Sequence, residues 1–317
     1  MLDTPSATLD PDAPSARWRT RHLLDVDQLS LDEVSACFSL AAEMREIHAR
    51  GEGDERLAGH RIGLAFAEPS TRTRVSFEIA ATALGARVLD LPIAASSATK
   101  GESLVDTLRT LERTGIQTLL LRHSASGAPY LAARSTELRI LNAGDGTHAH
   151  PTQALLDALT LRDALGGLDG AVVAIVGDVA HSRVARSNIL LLTRLGARVR
   201  LAGPPGWTAG MAGQGIQVHG ALADALDGAD AVMALRVQLE RNAAGGVPSL
   251  REYTARWGLD ELRMRLARPG APILHPGPTN EGVELTAALA ASSRSLIGTQ
   301  VRNGVAVRMA VLSLLAD

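Results

Sequence analysis

Cysteine occurs once, at position 37, which excludes intrachain disulfides and any metal site built from several thiolates. Its neighbours Ser35, Ala36 and Phe38 fit an ordinary helix, so Cys37 is expected to be inert packing. Aromatic residues make up only 3% of the 317 residues, so the cores have to be built from Ala, Leu and Val. The net charge is −2, and no basic block interleaved with aromatics occurs, which argues against a nucleic-acid partner. No apolar run approaches the roughly 18 residues of a membrane span, so no membrane partner is expected. Residues 1–20 mix Asp, Pro, Ser and Arg without a hydrophobic signal core. A cytoplasmic protein is therefore expected, with residues 1–17 as a flexible tail.

Lysine is almost missing. Of 32 basic residues only Lys100 is a lysine. In a chain so biased toward Arg, a surviving lysine points to a place that needs a compact, flexible ammonium rather than a planar guanidinium. Its surroundings, Ser96 to Ser103, form a small, polar loop containing Gly101.

What is present is enough apolar material, 46% of the chain, for two domains with separate cores. Leu29 to His48 has helical spacing, with Ser30 and Glu33 as a capping box. Strand-like runs then alternate with helical segments. The first group is Ile62 to Ala67, Arg87 to Leu91, Thr118 to Leu121 and Arg139 to Leu141. After a helix over Thr152 to Leu165, the second group is Ala171 to Val176, Arg198 to Ala202, Ala231 to Leu235 and Pro272 to Leu274. The alternation predicts an α/β chain of two doubly wound parallel-sheet domains, with the active site in the cleft between them. The terminal helix, beginning near Arg302, has no strand left to serve in the second sheet. The expected division is 1–151 plus 299–317 for one domain and 152–298 for the other.

Glu68 to Arg74 follows the first strand and precedes a helix expected over Val75 to Leu84. Ser70, Thr71, Arg72 and Thr73 thus gather at a helix N-terminus, where backbone N–H groups and the dipole already favour an oxyanion. Capping explains a Ser or Thr there, but a cation such as Arg72 in the first turn opposes the dipole unless an anion meets it. Other polar clusters fall after other strands: Arg122-His123, Asn142 to His150, Asp178 to Arg183, Arg236 to Gln238 and His275 to Pro278. Carboxyl ends of strands are where open α/β sheets bind ligands.

Gly177-Asp178-Val179-Ala180 lacks the G-x-G-x-x-G spacing, and no phosphate-binding P-loop is present, which argues against dinucleotide and nucleotide kinase chemistry. No H-E-x-x-H occurs, and His148 with His150 would make an unusual metal pair, so neither a metal nor a cofactor is expected. What remains are anion handles: Arg72, Arg74, Arg122, Arg183, Arg236, Arg241 and Lys100, with Ser70, Thr73, Gln153 and Gln238 as neutral donors. Two small anionic molecules are indicated, one per domain, with catalysis by positioning and charge stabilisation.

Phe66 to Arg74, Lys100-Gly101-Glu102, His150-Pro151-Thr152-Gln153 and His275-Pro276-Gly277-Pro278 resemble the aspartate and ornithine carbamoyltransferases, in order and at family spacing. Arg236-Val237-Gln238 with Glu240-Arg241 is similar to the aspartate branch; the ornithine branch carries His-Cys-Leu-Pro where this chain has His-Pro-Gly-Pro. Ala149 stands where the family usually has Gln. The resemblance implies condensation of carbamoyl phosphate with L-aspartate to N-carbamoyl-L-aspartate and phosphate, in pyrimidine biosynthesis. It implies that Ser70, Thr71, Arg72, Thr73, Ser96, Arg122, His150, Gln153, Gly277 and Pro278 bind carbamoyl phosphate. Lys100, Arg183, Arg236 and Gln238 are implied for aspartate, and catalytic roles for Arg72, Thr73, Lys100, Arg122, His150 and Gln153. Ser96 and Lys100 in the family reach a neighbouring subunit's site, which implies a homotrimer with shared active sites. A pathway partner such as dihydroorotase is a further possibility the family raises.

Overall fold

The computed structural model describes residues 18–91, 103–238 and 249–316. Ser96, Lys100, Arg241 and the segment 1–17 lie outside the described residues. Two compact units divide at Leu156/Asp157 and Val301/Arg302, so that the unit containing residues 18–156 is completed by 302–316 and the other is 157–301.

The first unit opens on α1 (Leu31–Ala49). Its start is the expected capping box: the Glu33 N–H donates to Ser30 Oγ, and the Glu33 carboxylate accepts from the Ser30 N–H. Cys37 lies on this helix at 0% exposure, and burial pushes its thiol up to about 12, so it stays protonated at neutral pH. Next come β1 (Arg61–Phe66), α2 (Thr71–Ala83), β2 (Arg87–Leu91), α3 (Leu104–Arg113), β3 (Thr118–His123), α4 (Ala128–Ser135), β4 (Arg139–Asp145) and α5 (Pro151–Leu165), the helix within which the chain passes to the second unit. The strands form a parallel sheet in the order β2-β1-β3-β4. Inner strands β1 and β3 bury apolar runs, as a sheet covered on both faces requires, whereas β2 at the edge is mostly exposed. Leu108, Leu119, Leu121, Ala132 and Ile140 pack into one core.

The second unit continues through β5 (Val172–Val176), α6 (Arg183–Arg194), β6 (Arg198–Ala202), α7 (Pro205–Thr208), β7 (Ile216–His219), α8 (Leu222–Leu226), β8 (Ala231–Ala234), α9 (Leu250–Trp257), β9 (Ile273–Leu274) and α10 (Ala287–Ala290). Its strands are parallel in the order β7-β6-β5-β8-β9. Val172, Ala174, Val232, Trp207, Tyr253 and Ile273 share its core. The last helix, α11 (Ile297–Ala316), carries the chain back to the first unit. Among the described residues no helix is long and apolar enough to cross a membrane.

Several elements differ from the sequence expectation: β3 runs on to His123 and β4 to Asp145, past the expected ends at Leu121 and Leu141. Helix α2 starts at Thr71 rather than Val75, which puts Arg72 and Thr73 inside the first turn. Helix α11 starts five residues before Arg302. Strand β7 was not anticipated: it is four residues long, only partly buried, and preceded by a glycine-rich stretch.

Candidate active site

In each sheet the strand order turns back on itself once. In the first unit the chain moves from β1 outward to β2 and then to the other side with β3, so the switch point lies between β1 and β3. In the second unit it lies between β5 and β8. Loops leaving adjacent strands at such a point diverge to opposite faces and leave a crevice at the carboxyl edge, where ligands bind in open α/β sheets.

The residues expected to hold a phosphate leave β1 at this crevice. Ser70 is the N-cap of α2, in extended conformation, and its side chain makes no capping bond. Its hydroxyl is therefore not spent on the helix. The first-turn N–H groups of Thr71, Arg72 and Thr73 are those that an α-helix does not use internally; the first internal bond runs from the Arg74 N–H to the Ser70 carbonyl. Arg72 is exposed and Thr73 buried. Arg122 arrives from β3, paired in register with Phe66 of β1, and its Nε lies 3.3 Å from the Glu68 carboxylate. Its Nη1 also donates to the Ala143 carbonyl at 3.3 Å, so the guanidinium is braced from the loop after β1 and from β4 together. Arg74 departs from its expected grouping with the anion handles: it donates to Asp90 on β2 at 2.8 Å.

The third contribution follows β4. The His150 carbonyl accepts from the Gln153 and Ala154 N–H groups and so opens α5, with Pro151 as its first residue. His150 and Gln153 are both buried. A residue not singled out from the sequence sets this loop. Asp145, at 0% exposure, accepts from the Gly127 N–H (2.7 Å), Asn142 Nδ2 (2.8 Å) and the Ala149 N–H (3.1 Å), with His148 Nδ1 at 3.1 Å. A buried carboxylate with several donors fixes its surroundings strongly. It ties the backbone just before His150, where the Ala149 N–H donates to the Asp145 carboxylate and the Ala149 carbonyl accepts from the Asp145 N–H at 3.1 Å.

A second group of the expected residues gathers at the switch point between β5 and β8. Arg183 opens α6 behind its N-cap Ser182 and is buried at 6% exposure. Arg236 and Gln238 leave β8, and Gln238 Nε2 donates to the His181 carbonyl at 3.2 Å, joining the two loops. Glu284 holds the β8 loop from beneath: it accepts from the Val237 N–H (2.8 Å), the Asn280 N–H (2.8 Å) and Asn280 Nδ2 (2.6 Å). Burial pushes the Glu284 carboxyl up from its ordinary value, against the downward pull of these donors. Burial, helped by Glu284 and Asp178, also pushes the Tyr253 hydroxyl up, so it remains a neutral phenol.

Gly177, the first residue after β5, has φ +124°, and a Cβ there would sit 2.8 Å from the Tyr253 hydroxyl and 3.1 Å from the Leu235 carbonyl. Gly177→Ala is expected to destabilise this unit by about 2–4 kcal/mol, from backbone strain plus overpacking. Urea unfolding checks this; a loss below about 0.5 kcal/mol, the range of ordinary surface changes, would refute it.

Gly277 and Pro278 follow β9, joined by a cis peptide bond. The Gly277 N–H donates to His275 Nδ1 at 2.8 Å, and the His275 N–H donates to Gln300 Oε1 at 3.0 Å. Gln300 Nε2 in turn donates to Asp157 Oδ1 at 2.7 Å, and Asn188 Nδ2 donates to Asp157 Oδ2 at 2.8 Å. This buried chain anchors the 275–278 loop to α5, α6 and α11. Its sequence signal was an acid inside an apolar helical run, Ala154-Leu155-Leu156-Asp157-Ala158-Leu159. Among the described residues no group of three His, Cys, Asp or Glu is placed to hold a metal ion.

Two family models match: the aspartate/ornithine carbamoyltransferase carbamoyl-P binding domain over residues 21–163, and the Asp/Orn binding domain over 169–315. The chain belongs to the aspartate/ornithine carbamoyltransferase family. The aspartate carbamoyltransferase catalytic subunit of Gluconobacter oxydans is 51% identical over 309 residues, covering 96% of this chain and 98% of that one. The corresponding subunit of Moorella thermoacetica is 48% identical, covering 94% and 98%. Among solved structures, Trypanosoma cruzi aspartate transcarbamoylase in complex with carbamoyl aspartate and phosphate is 33% identical with a TM-score of 0.84, covering 93% and 95%. Pyrococcus furiosus ornithine carbamoyltransferase is 25% identical with a TM-score of 0.83, covering 96% and 98%. The backbone fold is thus common to both branches of the family, and the difference between the branches lies in sequence identity.

Proposed function

We infer that this chain is an aspartate carbamoyltransferase, transferring the carbamoyl group of carbamoyl phosphate to the amine of L-aspartate in pyrimidine biosynthesis. The observation that carries the reading is the 51% identity to an aspartate carbamoyltransferase catalytic subunit over 98% of its length. The two anion-handling half-sites, one per unit at a topological switch point, fit a reaction between two anionic substrates.

In this reading Ser70, Thr71, Arg72 and Thr73 hold the phosphate at the start of α2. Arg122, His150 and Thr73 donate to the carbamoyl oxygen and stabilise the oxyanion that forms when the amine attacks. Gln153 and the backbone at Gly277 and Pro278 orient the carbamoyl amide. Arg183, Arg236 and Gln238 hold the aspartate carboxylates, with bidentate guanidiniums suited to that geometry. No side chain becomes covalently attached to substrate; the rate comes from positioning and charge stabilisation. Ser96 and Lys100 complete the site from a neighbouring copy in a cytoplasmic homotrimer.

Steady-state assays with aspartate, ornithine and N-acetylornithine test the reading. Turnover with aspartate and little with the basic amino acids is expected; a preference for either of the latter would overturn it. For the shared site, a Lys100→Ala chain mixed with an Arg72→Ala chain is expected to regain activity in verified mixed trimers, and none would be regained if each site were built from one chain.

A further inference from the structure

The amino-acid substrate inferred above brings two carboxylates and an ammonium. Arg183, Arg236 and Gln238 answer the carboxylates, but an ammonium has no lone pair and cannot attack until it loses a proton. We propose that His181, held by Asp178, accepts that proton and is a further catalytic residue of the amino-acid half-site. The inference rests on the functional reading above.

The geometry is that of a carboxylate-oriented imidazole. His181 Nδ1 lies 2.7 Å from Asp178 Oδ1, and the Asp178 side chain is 0% exposed while that of His181 is 36% exposed. A buried carboxylate facing Nδ1 takes the Nδ1 proton as donor, so that the lone pair of the neutral imidazole falls on Nε2, the arrangement by which bases are oriented in unrelated active sites. The Trp207 ring stands edge-on to the imidazole, at 6.1 Å and 86°, and restricts its rotation.

Location separates this pair from Asp145 and His148, which have the same spacing. Both carboxylates also take backbone donors, Asp145 from Gly127 and Ala149 and Asp178 from the His181 N–H at 3.3 Å, so position in the fold alone distinguishes the pairs. His181 instead sits at the switch point of its sheet, two residues before Arg183, and its carbonyl takes the Gln238 amide. The imidazole and the side chains assigned to the substrate carboxylates therefore belong to one joined pair of loops.

The step balances as follows. Nε2 takes one proton from the α-ammonium, and the freed nitrogen pair forms the C–N bond at the carbamoyl carbon, sending the carbonyl pair onto oxygen. As that carbonyl re-forms, the C–O bond to phosphate breaks and its electron pair leaves on the phosphate, which takes the second nitrogen proton. His181 then releases its proton to solvent.

The test compares wild type, His181→Gln and His181→Ala. His181→Gln keeps a donor toward Asp178 and so preserves the loop. Its kcat with aspartate is expected to fall by about 10²-fold or more, the usual contribution of a general base, with KM for carbamoyl phosphate changed less than about threefold. Added imidazole is expected to raise kcat of His181→Ala at least about tenfold and to leave wild type unchanged, a response that a structural role would not give. A folded His181→Gln enzyme within about threefold of wild-type kcat, or a folded His181→Ala enzyme indifferent to imidazole, would overturn the proposal. Wild type that fails to carbamoylate aspartate would instead overturn the functional reading.

Discussion

Replacing Arg72 by Ala is expected to lower kcat/KM for carbamoyl phosphate by about 10²–10³-fold, the scale of losing one preorganised donor to an oxyanion. Stability is expected to move by less than about 0.5 kcal/mol, because the residue is exposed. A cation in the first turn of α2 works against the helix dipole, so Ala there removes a small local cost. Arg72→Lys restores the charge but not the fork that grips two oxygens at once, and should recover only part of the loss. Steady-state kinetics and thermal unfolding of the same preparations separate the two effects. A loss under about tenfold in Arg72→Ala would remove Arg72 from the phosphate site.

The largest expected effect on stability is at Asp157. Asp157→Ala leaves the buried Gln300 and Asn188 amides facing a void, and each unsatisfied group costs about 1–3 kcal/mol. The better helix propensity of Ala offsets only a fraction of this. A loss of roughly 2–5 kcal/mol in the 157–301 unit follows, or a drop of about 5–15 °C in its unfolding midpoint. Asp157→Asn is expected to help little, since its own amide then points a donor at one of the two existing donors. Calorimetry on both variants checks this; midpoints within about 2 °C of wild type would show that the chain from Asn188 to His275 contributes less than one such bond.

Most of the fold could be read from the sequence because parallel sheets bury their inner strands on both faces and so leave apolar runs. Strand β7 escaped because its burial is partial and its length only four residues. The start of α2 was placed one turn late because a helix opening on Thr-Arg-Thr, with no acid in its first turn, lacks the usual start signal. The candidate anion handles could be proposed from the sequence since Arg, Ser and Thr at strand ends advertise their chemistry. Their supports could not be. Asp157 and Gln300 are 143 positions apart, Val237 and Glu284 are 47 apart, and only folding reveals that such pairs exist. Arg74 errs in the opposite direction: its sequence context matches that of Arg72, yet its guanidinium turns to Asp90.

The return of α11 to the first unit has a consequence for synthesis on the ribosome. Val305, Val307, Met309, Val311 and Leu312 of that helix are all buried, so the first unit lacks part of its core until the last residues emerge. Between Leu156 and Arg302 the ribosome must add the whole of the other unit, about 145 residues, which at ordinary elongation rates of roughly 5–20 residues per second takes on the order of 7–30 s. The unit that begins first is therefore finished last. The contiguous unit 157–301 can close on its own as it is made, while the nascent N-terminal portion waits with apolar surface open to water and to chaperones.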